Sequence, residues 1–267
     1  MLFRSNGPSR ELVHGTIRHG VQLVSSDPDR RRIPLAYYHH TGPLGSVFTT
    51  MQERNAIARV GVAGLGIGTV AAYAKPGQEF VFFEIDPAIV EIATDVDWFT
   101  FLAECEGTSR IVVDDARLAL AREPDDSFDL LIIDAFTGDS VPTHLLTREA
   151  LTLYGRKLGR DGVVAIHISN RYLDFAPIVE ALAAGSSWMV LDGMDRDVPA
   201  DLARLSSRWM VLTRSLDMVK AIYGNPTSPR WEWRPAVGGR AGRVWTDDRA
   251  SVADALIRGH AELGAAE

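Results

Sequence analysis

The amino-acid sequence predicts an α/β fold in which a largely parallel β-sheet has helices on both faces. From about residue 51 onward, short apolar runs alternate regularly with segments of helical pattern. The apolar runs are continuous rather than alternating with polar residues, which indicates strands that are buried on both faces. Strands and helices that alternate in this way are joined by right-handed crossovers, so neighbouring strands run parallel.

The first 50 residues do not show this alternation of strand and helix patterns. Residues 12–23 and 35–39 have the composition of short strands, and they are interrupted by glycine and by the turn-forming segment 26–29. We therefore predict a small antiparallel β-hairpin region over residues 1–50. The α/β domain then covers residues 51–267 and includes a C-terminal tail, from about residue 224, that is rich in proline, glycine and arginine.

Each element of the domain has its own local signal. Pro87 follows Asp86 and suits a first helical position, and Thr147 suits an N-cap position with Glu149 in the first turn. The predicted strands are 59–63, 80–85, 109–113, 128–133, 163–168 and 209–213. The predicted helices are 69–74, 87–95, 117–122, 147–158 and 175–184, with one short helix near the C-terminus.

Three glycines follow the first strand of the domain, at positions 64, 66 and 68. A dinucleotide-binding turn has the spacing G-x-G-x-x-G with an acid about 20 residues further on. Here Glu84 fits as that acid, but the third glycine comes one place early and Thr69 follows it. This spacing resembles the G-x-G-x-G turn of the Rossmann-like, S-adenosylmethionine-type methyltransferase fold, whose ligand carries no phosphate there. We predict that Gly64, Gly66 and Gly68 approach the ligand and that Glu84 holds its ribose hydroxyls; a glycine turn without a ligand is the alternative.

Acids also follow the other predicted strands. In an open α/β sheet the ligand lies over the carboxyl ends of the strands, so these acids are candidates for the site. One acid can be a loop or helix-cap residue, but acids after three successive strands indicate a function. They are Glu84 and Asp86 after the second strand, Asp114 and Asp115 after the third, and Asp134 and Asp139 after the fourth.

Composition narrows the class of protein. The net charge of −7 argues against a nucleic-acid partner, because phosphate binding needs basic patches. Cys105 is the single cysteine, which rules out a disulfide within the chain and favours the cytoplasm. No apolar run reaches the length of about 18–20 residues that spans a bilayer, so we expect no membrane insertion by this chain. The histidines are scattered without metal-ligand spacing, and we expect no metal.

Most of the chain resembles the polyamine aminopropyltransferases, of which spermidine synthase is the best known. Segments 19–22, 38–39, 64–69, 83–86, 115–116 and 128–134 are similar to motifs of that family. Segments 134–136, 142–147 and 167–172 are typical of a bacterial branch of the family that is often fused to membrane helices. The resemblance implies a homodimer that uses decarboxylated S-adenosylmethionine as co-substrate and a small-molecule amine as acceptor.

The resemblance also implies roles for individual residues. Cofactor contacts are expected from Gln22, from Asp115 and Ala116 near the adenine, and from Glu84 and Asp86 near the ribose. Tyr38, His39 and Tyr172 are expected to bind substrate. Since a primary amine is protonated near neutral pH, carboxylates must hold it and remove a proton before it attacks. We assign Asp139 as the base, and Asp134 as the group that orients the amine or the cofactor's aminopropyl nitrogen.

The sequence departs from the family at three places. Ile67 replaces an aspartate of the glycine turn, His40 replaces a glutamate that follows the Tyr-His pair, and Asp134 and Asp139 are five positions apart where the family spaces them by three. Each of the two replacements removes a negative charge that would hold a diamine. The acceptor site is therefore atypical. Two alternatives remain: an S-adenosylmethionine-dependent methyltransferase of a small substrate, and a catalytically inactive ligand-binding homologue.

Overall fold

The structure, a computed structural model, describes residues 2–6, 8–14, 17–135, 142–170, 172–196, 204–236 and 242–256. The strands are β1 (Leu2–Asn6), β2 (Ser9–His14), β3 (Ile17–Leu23), β4 (Arg59–Ala63), β5 (Glu79–Glu84), β6 (Thr108–Val113), β7 (Phe128–Ile133), β8 (Leu158–His167), β9 (Met189–Asp195), β10 (Ser207–Thr213) and β11 (Trp233–Pro235). The helices are α1 (Pro28–Arg31), α2 (Pro43–Glu53), α3 (Pro87–Thr94), α4 (Ala116–Arg122), α5 (Arg148–Lys157), α6 (Ala176–Ala183) and α7 (Leu216–Tyr223).

One eight-stranded sheet organises the molecule, with the strand order β11-β9-β10-β8-β7-β4-β5-β6. The five strands from β8 to β6 run parallel, whereas β10 is antiparallel to both β8 and β9, and β11 is antiparallel to β9. The predicted α/β fold is thus confirmed. The prediction that residues 209–213 continue a parallel sheet is wrong, since this strand is β10.

Side chains of the central strands alternate between two apolar layers. Leu130 and Ile132 pack with α2, α3 and α7 on one face of the sheet, while Leu131 and Ile133 pack with α4, α5 and α6 on the other. A strand that is buried on both faces reads as a continuous apolar run, which is why the sequence revealed β4, β5 and β7. Helices cover both faces, as predicted.

The N-terminal region forms its own three-stranded antiparallel sheet, in the order β1-β2-β3. The small antiparallel region that we predict there is confirmed, but the expected strand at residues 35–39 is absent. Ala36 instead has a φ of 53° and forms a single bridge with Arg204. The domain division at residues 50 and 51 stays a prediction; α2 runs across that position and packs onto the large sheet.

The direction of the strands brings the candidate residues to one edge. Because β8 and β9 are both antiparallel to β10, they run in the same direction, and their ends lie beside the start of β10. In the ladder Trp209 pairs with His167, and Asp195 pairs with Ser207. The carboxyl ends of β4, β5, β7, β8 and β9 therefore meet at a single edge of the sheet.

Candidate active site

The turn after β4 needs its glycines. Gly64, Gly66 and Gly68 have φ values of 97°, 55° and 80°, in the left-handed region that other residues rarely adopt. At Gly64 a Cβ atom would lie 2.5 Å from the carbonyl oxygen of Asp134, and at Gly66 it would lie 2.9 Å from that of His19. The turn is thus closely packed between the end of β7 and strand β3. The predicted helix at 69–74 is a single 3-10 helix, Thr69–Tyr73.

Glu84, the last residue of β5, reaches back over this turn. One of its carboxylate oxygens accepts a hydrogen bond from the Leu65 N–H and the other from the Asp86 N–H, both at 3.0 Å. Each oxygen keeps a further lone pair for another donor. Asp86 caps α3 by accepting from the Ala88 N–H at 2.9 Å. Ile85, which lies between Glu84 and Asp86 in sequence, is 63% exposed and forms an apolar surface at the same edge of the sheet.

Asp115 and Ala116 lie beside Glu84, because β5 and β6 are parallel neighbours. Asp115 caps α4: one carboxylate oxygen accepts from the Leu118 N–H at 2.9 Å. Its other oxygen lies 2.9 Å from Nε2 of His144. Ala116, the first residue of α4, is mostly buried in the apolar layer beneath the helix. The predicted ribose and adenine residues are thus brought together.

Asp134 follows β7, and its side chain is only 2% exposed. One carboxylate oxygen accepts a hydrogen bond from the Tyr38 hydroxyl, and the other lies 2.7 Å from Nδ1 of His167. Burial and the negative charge of Asp134 raise the pKa of Tyr38 well above its usual value, so the phenol stays protonated and donates. Tyr38 and Asp134, which the sequence suggests as separate site residues, are therefore in direct contact, although they lie 96 positions apart.

His167 ends β8 and extends this network, although we did not single it out as a site residue from the sequence. Its Nε2 lies 2.7 Å from the Ser169 hydroxyl, whose oxygen accepts from the Arg208 N–H at 2.7 Å. The imidazole is stacked on Tyr37, with ring centroids 4.4 Å apart, and on Trp209, with centroids 4.6 Å apart. A polar residue in the last position of a buried strand is the signal that could have revealed it.

The side chain of His39 contacts a different group of residues from that of Tyr38. His39 is buried; its Nδ1 lies 3.0 Å from the Thr41 hydroxyl and its Nε2 lies 3.7 Å from the carboxylate of the fully buried Asp195. Burial, followed by the charges of Arg204 and Arg230, lowers the pKa of His39 to about 4. The imidazole is therefore neutral near neutral pH. Substrate binding by His39 stays a prediction.

The side-chain amide of Gln22 contacts protein groups. Its Nε2 donates to the Arg31 carbonyl and to the Thr100 hydroxyl, and its Oε1 accepts from the Thr100 N–H at 2.9 Å. Gln22 thus joins β3 to the segment that follows α3. Tyr172 is 58% exposed beyond the end of β8, and its N–H donates to the Asn170 side chain. The cofactor and substrate contacts of these two residues stay predictions, and Asp139 lies outside the described residues.

The two replaced acids have different surroundings. Ile67 is fully buried, and a Cβ atom at Gly20 of β3 would overlap its side chain. This position of the turn is thus an apolar contact between the two sheets. His40 is exposed and meets the ring of Tyr73 edge-on, with ring centroids 5.0 Å apart.

Among the described residues, His, Cys, Asp and Glu side chains do not form a group of three or more that could hold a metal ion. Across the same residues, the helices are too short or too polar to cross a bilayer.

Comparison with known proteins supports the resemblance that we infer from the motifs. No family model matches the chain. A curated polyamine aminopropyltransferase from Vibrio vulnificus (strain CMCP6) is 30% identical over 140 residues, which are 52% of this chain and 44% of that protein. The match thus spans less than half the length of the relative. The likeness in sequence to polyamine aminopropyltransferases is confirmed over this part of the chain.

The fold is confirmed over almost the whole chain. The crystal structure of a probable spermidine synthase from Corynebacterium glutamicum ATCC 13032 superposes with a TM-score of 0.67 and covers 93% of both chains, at 16% sequence identity. The N-terminal sheet and the large sheet together thus have the architecture of that structure.

Proposed function

We propose that this protein is an aminopropyltransferase that moves an aminopropyl group from decarboxylated S-adenosylmethionine to a small amine. The observation that supports the proposal best is the buried carboxylate of Asp134, whose main chain packs against Gly64 and which follows β7 at the sheet edge where Glu84 ends β5. A negative charge at this point of the edge suits a reaction in which both substrates are cations.

The sheet edge at the glycine turn and at the ends of β5 and β6 has the groups that an adenosyl ligand needs. The free lone pairs of the Glu84 carboxylate can accept hydrogen bonds from two ribose hydroxyls. The exposed side chain of Ile85 offers an apolar surface for the adenine, and Asp115 stands beside it on the next strand end. The glycine turn lets the backbone approach the ligand closely.

The reaction needs two different carboxylates. The acceptor amine first loses a proton to a base; its nitrogen lone pair then attacks the carbon next to sulfur, the C–S bond breaks, and its electron pair leaves with sulfur as a neutral thioether. Asp134 suits the holding role, because two hydrogen bonds fix the position of its buried carboxylate. We propose Asp139 as the base. Alignment of the two substrates supplies much of the rate acceleration.

The experiment uses the purified protein with decarboxylated S-adenosylmethionine and putrescine, and mass spectrometry detects the aminopropylated amine and the thioether. Asp139→Asn should abolish turnover and leave cofactor affinity near normal. Asp217→Asn, the same change at an exposed position of α7, is the matched control and should keep full activity. Full activity of Asp139→Asn would remove this residue from the mechanism.

Calorimetry tests the choice of cofactor. An aminopropyltransferase should bind decarboxylated S-adenosylmethionine more tightly than the intact form. The reverse order would favour a methyltransferase, and binding without any product would favour an inactive homologue. We further propose that the protein is a cytoplasmic homodimer, which sedimentation velocity and cell fractionation would test.

A further inference from the structure

We propose that His167 is a positioning residue that fixes the carboxylate of Asp134 in the orientation needed for aminopropyl transfer. This inference rests on the proposed function. It assigns a role to a residue that the acid-based mechanism does not use, and it begins from the hydrogen bonds of the His167 ring.

The hydrogen-bond partners determine where the ring carries its hydrogen. An ionised carboxylate only accepts, so the 2.7 Å contact with Asp134 requires a hydrogen on Nδ1 of His167. At Nε2 the partner is the Ser169 hydroxyl, which itself accepts from the Arg208 N–H. A main-chain donor of β10 thus orients Ser169, Ser169 orients the imidazole, and the imidazole orients Asp134.

The plane of the imidazole is fixed as well. Tyr37 covers one side at an interplanar angle of 27°, and Trp209 covers the other at 20°. Trp209 is fully buried, and it pairs with His167 in the β8–β10 ladder. Since aromatic packing and two hydrogen bonds hold the ring, its Nδ1–H can fix the position of the carboxylate oxygen within a fraction of an ångström.

The described charged groups near Asp134 do not neutralise its carboxylate. Tyr37 and Tyr38 face it as neutral phenols, since burial and the charge of Asp134 raise the pKa of both. The Arg208 guanidinium points to Asp192 and Asp174 instead, while His39 lies against Asp195 and Thr41. Among the described residues, no Lys or Arg side chain is paired with Asp134.

A pair of substitutions separates positioning from general structural support. His167→Asn keeps an N–H near the place of Nδ1, whereas His167→Ala removes the donor. We expect His167→Ala to lower kcat by up to about 100-fold, with the affinity for the adenosyl thioether product changed less than about threefold. His167→Asn should recover most of kcat. Equal losses in both variants, or none in His167→Ala, would overturn the proposal.

One measurement does not depend on catalysis. Long-range ¹H–¹⁵N NMR of the imidazole should show a hydrogen-bonded proton on Nδ1 of His167, with an environment that changes in Asp134→Asn. If no amine is aminopropylated but this signal is present, the proposed function fails while the contact stands. If transfer occurs but Nδ1 carries no proton, the positioning role fails alone.

The order Asp134, His167, Ser169 is also that of a serine-hydrolase triad, which makes Ser169 a competing candidate for a nucleophile. In this structure the Ser169 oxygen accepts the Arg208 N–H and belongs to the orienting chain. A fluorophosphonate probe distinguishes the two roles. We expect no labelling of Ser169, and labelling that disappears in His167→Ala would overturn the positioning role.

Discussion

Glu84 and Glu79 are the same residue type at opposite ends of β5, and their contacts differ. Glu84 accepts hydrogen bonds from the Leu65 N–H of the glycine turn and from the Asp86 N–H, whereas Glu79 forms an ion pair with Arg59 at 2.6 Å. The proposal makes Glu84 the ligand of two ribose hydroxyls. We expect Glu84→Gln to weaken binding of the adenosyl thioether by about 10- to 100-fold, the equivalent of about 1–3 kcal/mol of lost hydrogen bonding.

Calorimetry with the thioether checks this prediction in the purified protein. Glu79→Gln is the matched control, because it makes the same chemical change on the same strand at the edge remote from the glycine turn. Its affinity should equal that of the wild type. Equal affinities in Glu84→Gln and the wild type would show that the ribose is bound elsewhere.

Tyr38 contributes one hydroxyl to a carboxylate that is otherwise held by His167. Tyr38→Phe leaves one buried acceptor position of Asp134 without its donor, at a cost of about 1–3 kcal/mol in the free energy of unfolding. We expect kcat to fall in this variant and thioether affinity to stay near normal.

Tyr154→Phe provides the control for stability. The Tyr154 hydroxyl is also buried and donates to the Leu145 carbonyl at 3.0 Å, under α5. Urea unfolding should show comparable losses in the two variants, and only Tyr38→Phe should lose turnover. If both variants keep full turnover, the Tyr38 hydroxyl has no part in the reaction.

At the scale of elements, strand β3 packs against the glycine turn through Gly20 and Ile67. A Cβ at position 20 would overlap the Ile67 side chain, so Gly20→Ala should displace the turn and weaken adenosyl binding. Ile67→Ala removes the overlapping atoms, and the double variant should therefore bind better than Gly20→Ala alone.

A double-mutant cycle measures this coupling in binding and in unfolding. If the two sites are coupled, the free-energy change in the double variant should differ from the sum of the two single changes by at least about 0.5 kcal/mol. If the two changes add without coupling, the N-terminal sheet does not control the shape of the turn.

The sequence predicted most clearly those strands whose side chains are buried on both faces of the sheet. The continuous apolar runs of β4, β5 and β7 follow from burial on both faces, and the caps of α3 and α5 have the chemistry expected at their first residues. Strand β9 was missed because Asp192 and Gly193 interrupt its apolar pattern. The glycine is needed there, since a Cβ at Gly193 would lie 2.5 Å from the Trp233 ring.

Helix α2 was missed for a similar reason. It contains Gly45, whose Cβ would overlap the carbonyl oxygen of His40, and several residues of poor helix propensity. Burial of most of its residues against the sheet and α7 outweighs that propensity. Tertiary packing, which is not visible in a local pattern, decided both elements.

The sequence predicted which edge of the sheet carries the candidate site. It did not predict how the side chains of the site contact one another. Strand ends placed Glu84, Asp115 and Asp134 together, but a strand pattern does not give side-chain directions in the connecting loops. Tyr38 and His39 are neighbours in sequence, yet the first contacts Asp134 and the second lies against Asp195. Such contacts depend on how distant segments pack.

At the scale of the whole molecule, the buried His39 links stability to pH. Its pKa is lowered to about 4 in the folded protein, mainly by burial, whereas an unfolded histidine titrates near pH 6.5. Between these two values the unfolded chain binds more protons than the folded one, so protons favour unfolding. The contribution of His39 is therefore complete above pH 6.5 and is lost as the pH falls toward 4.

The full effect is about 3–4 kcal/mol at most, from roughly 1.4 kcal/mol per pKa unit between the two pKa values. Urea unfolding of the intact chain between pH 4 and 7.5 should show the free energy of unfolding falling across this range in the wild type. His39→Gln removes the titrating ring, so its curve should be flatter over the same interval even if the variant is less stable at every pH. Parallel curves would mean that burial does not hold His39 neutral inside the protein.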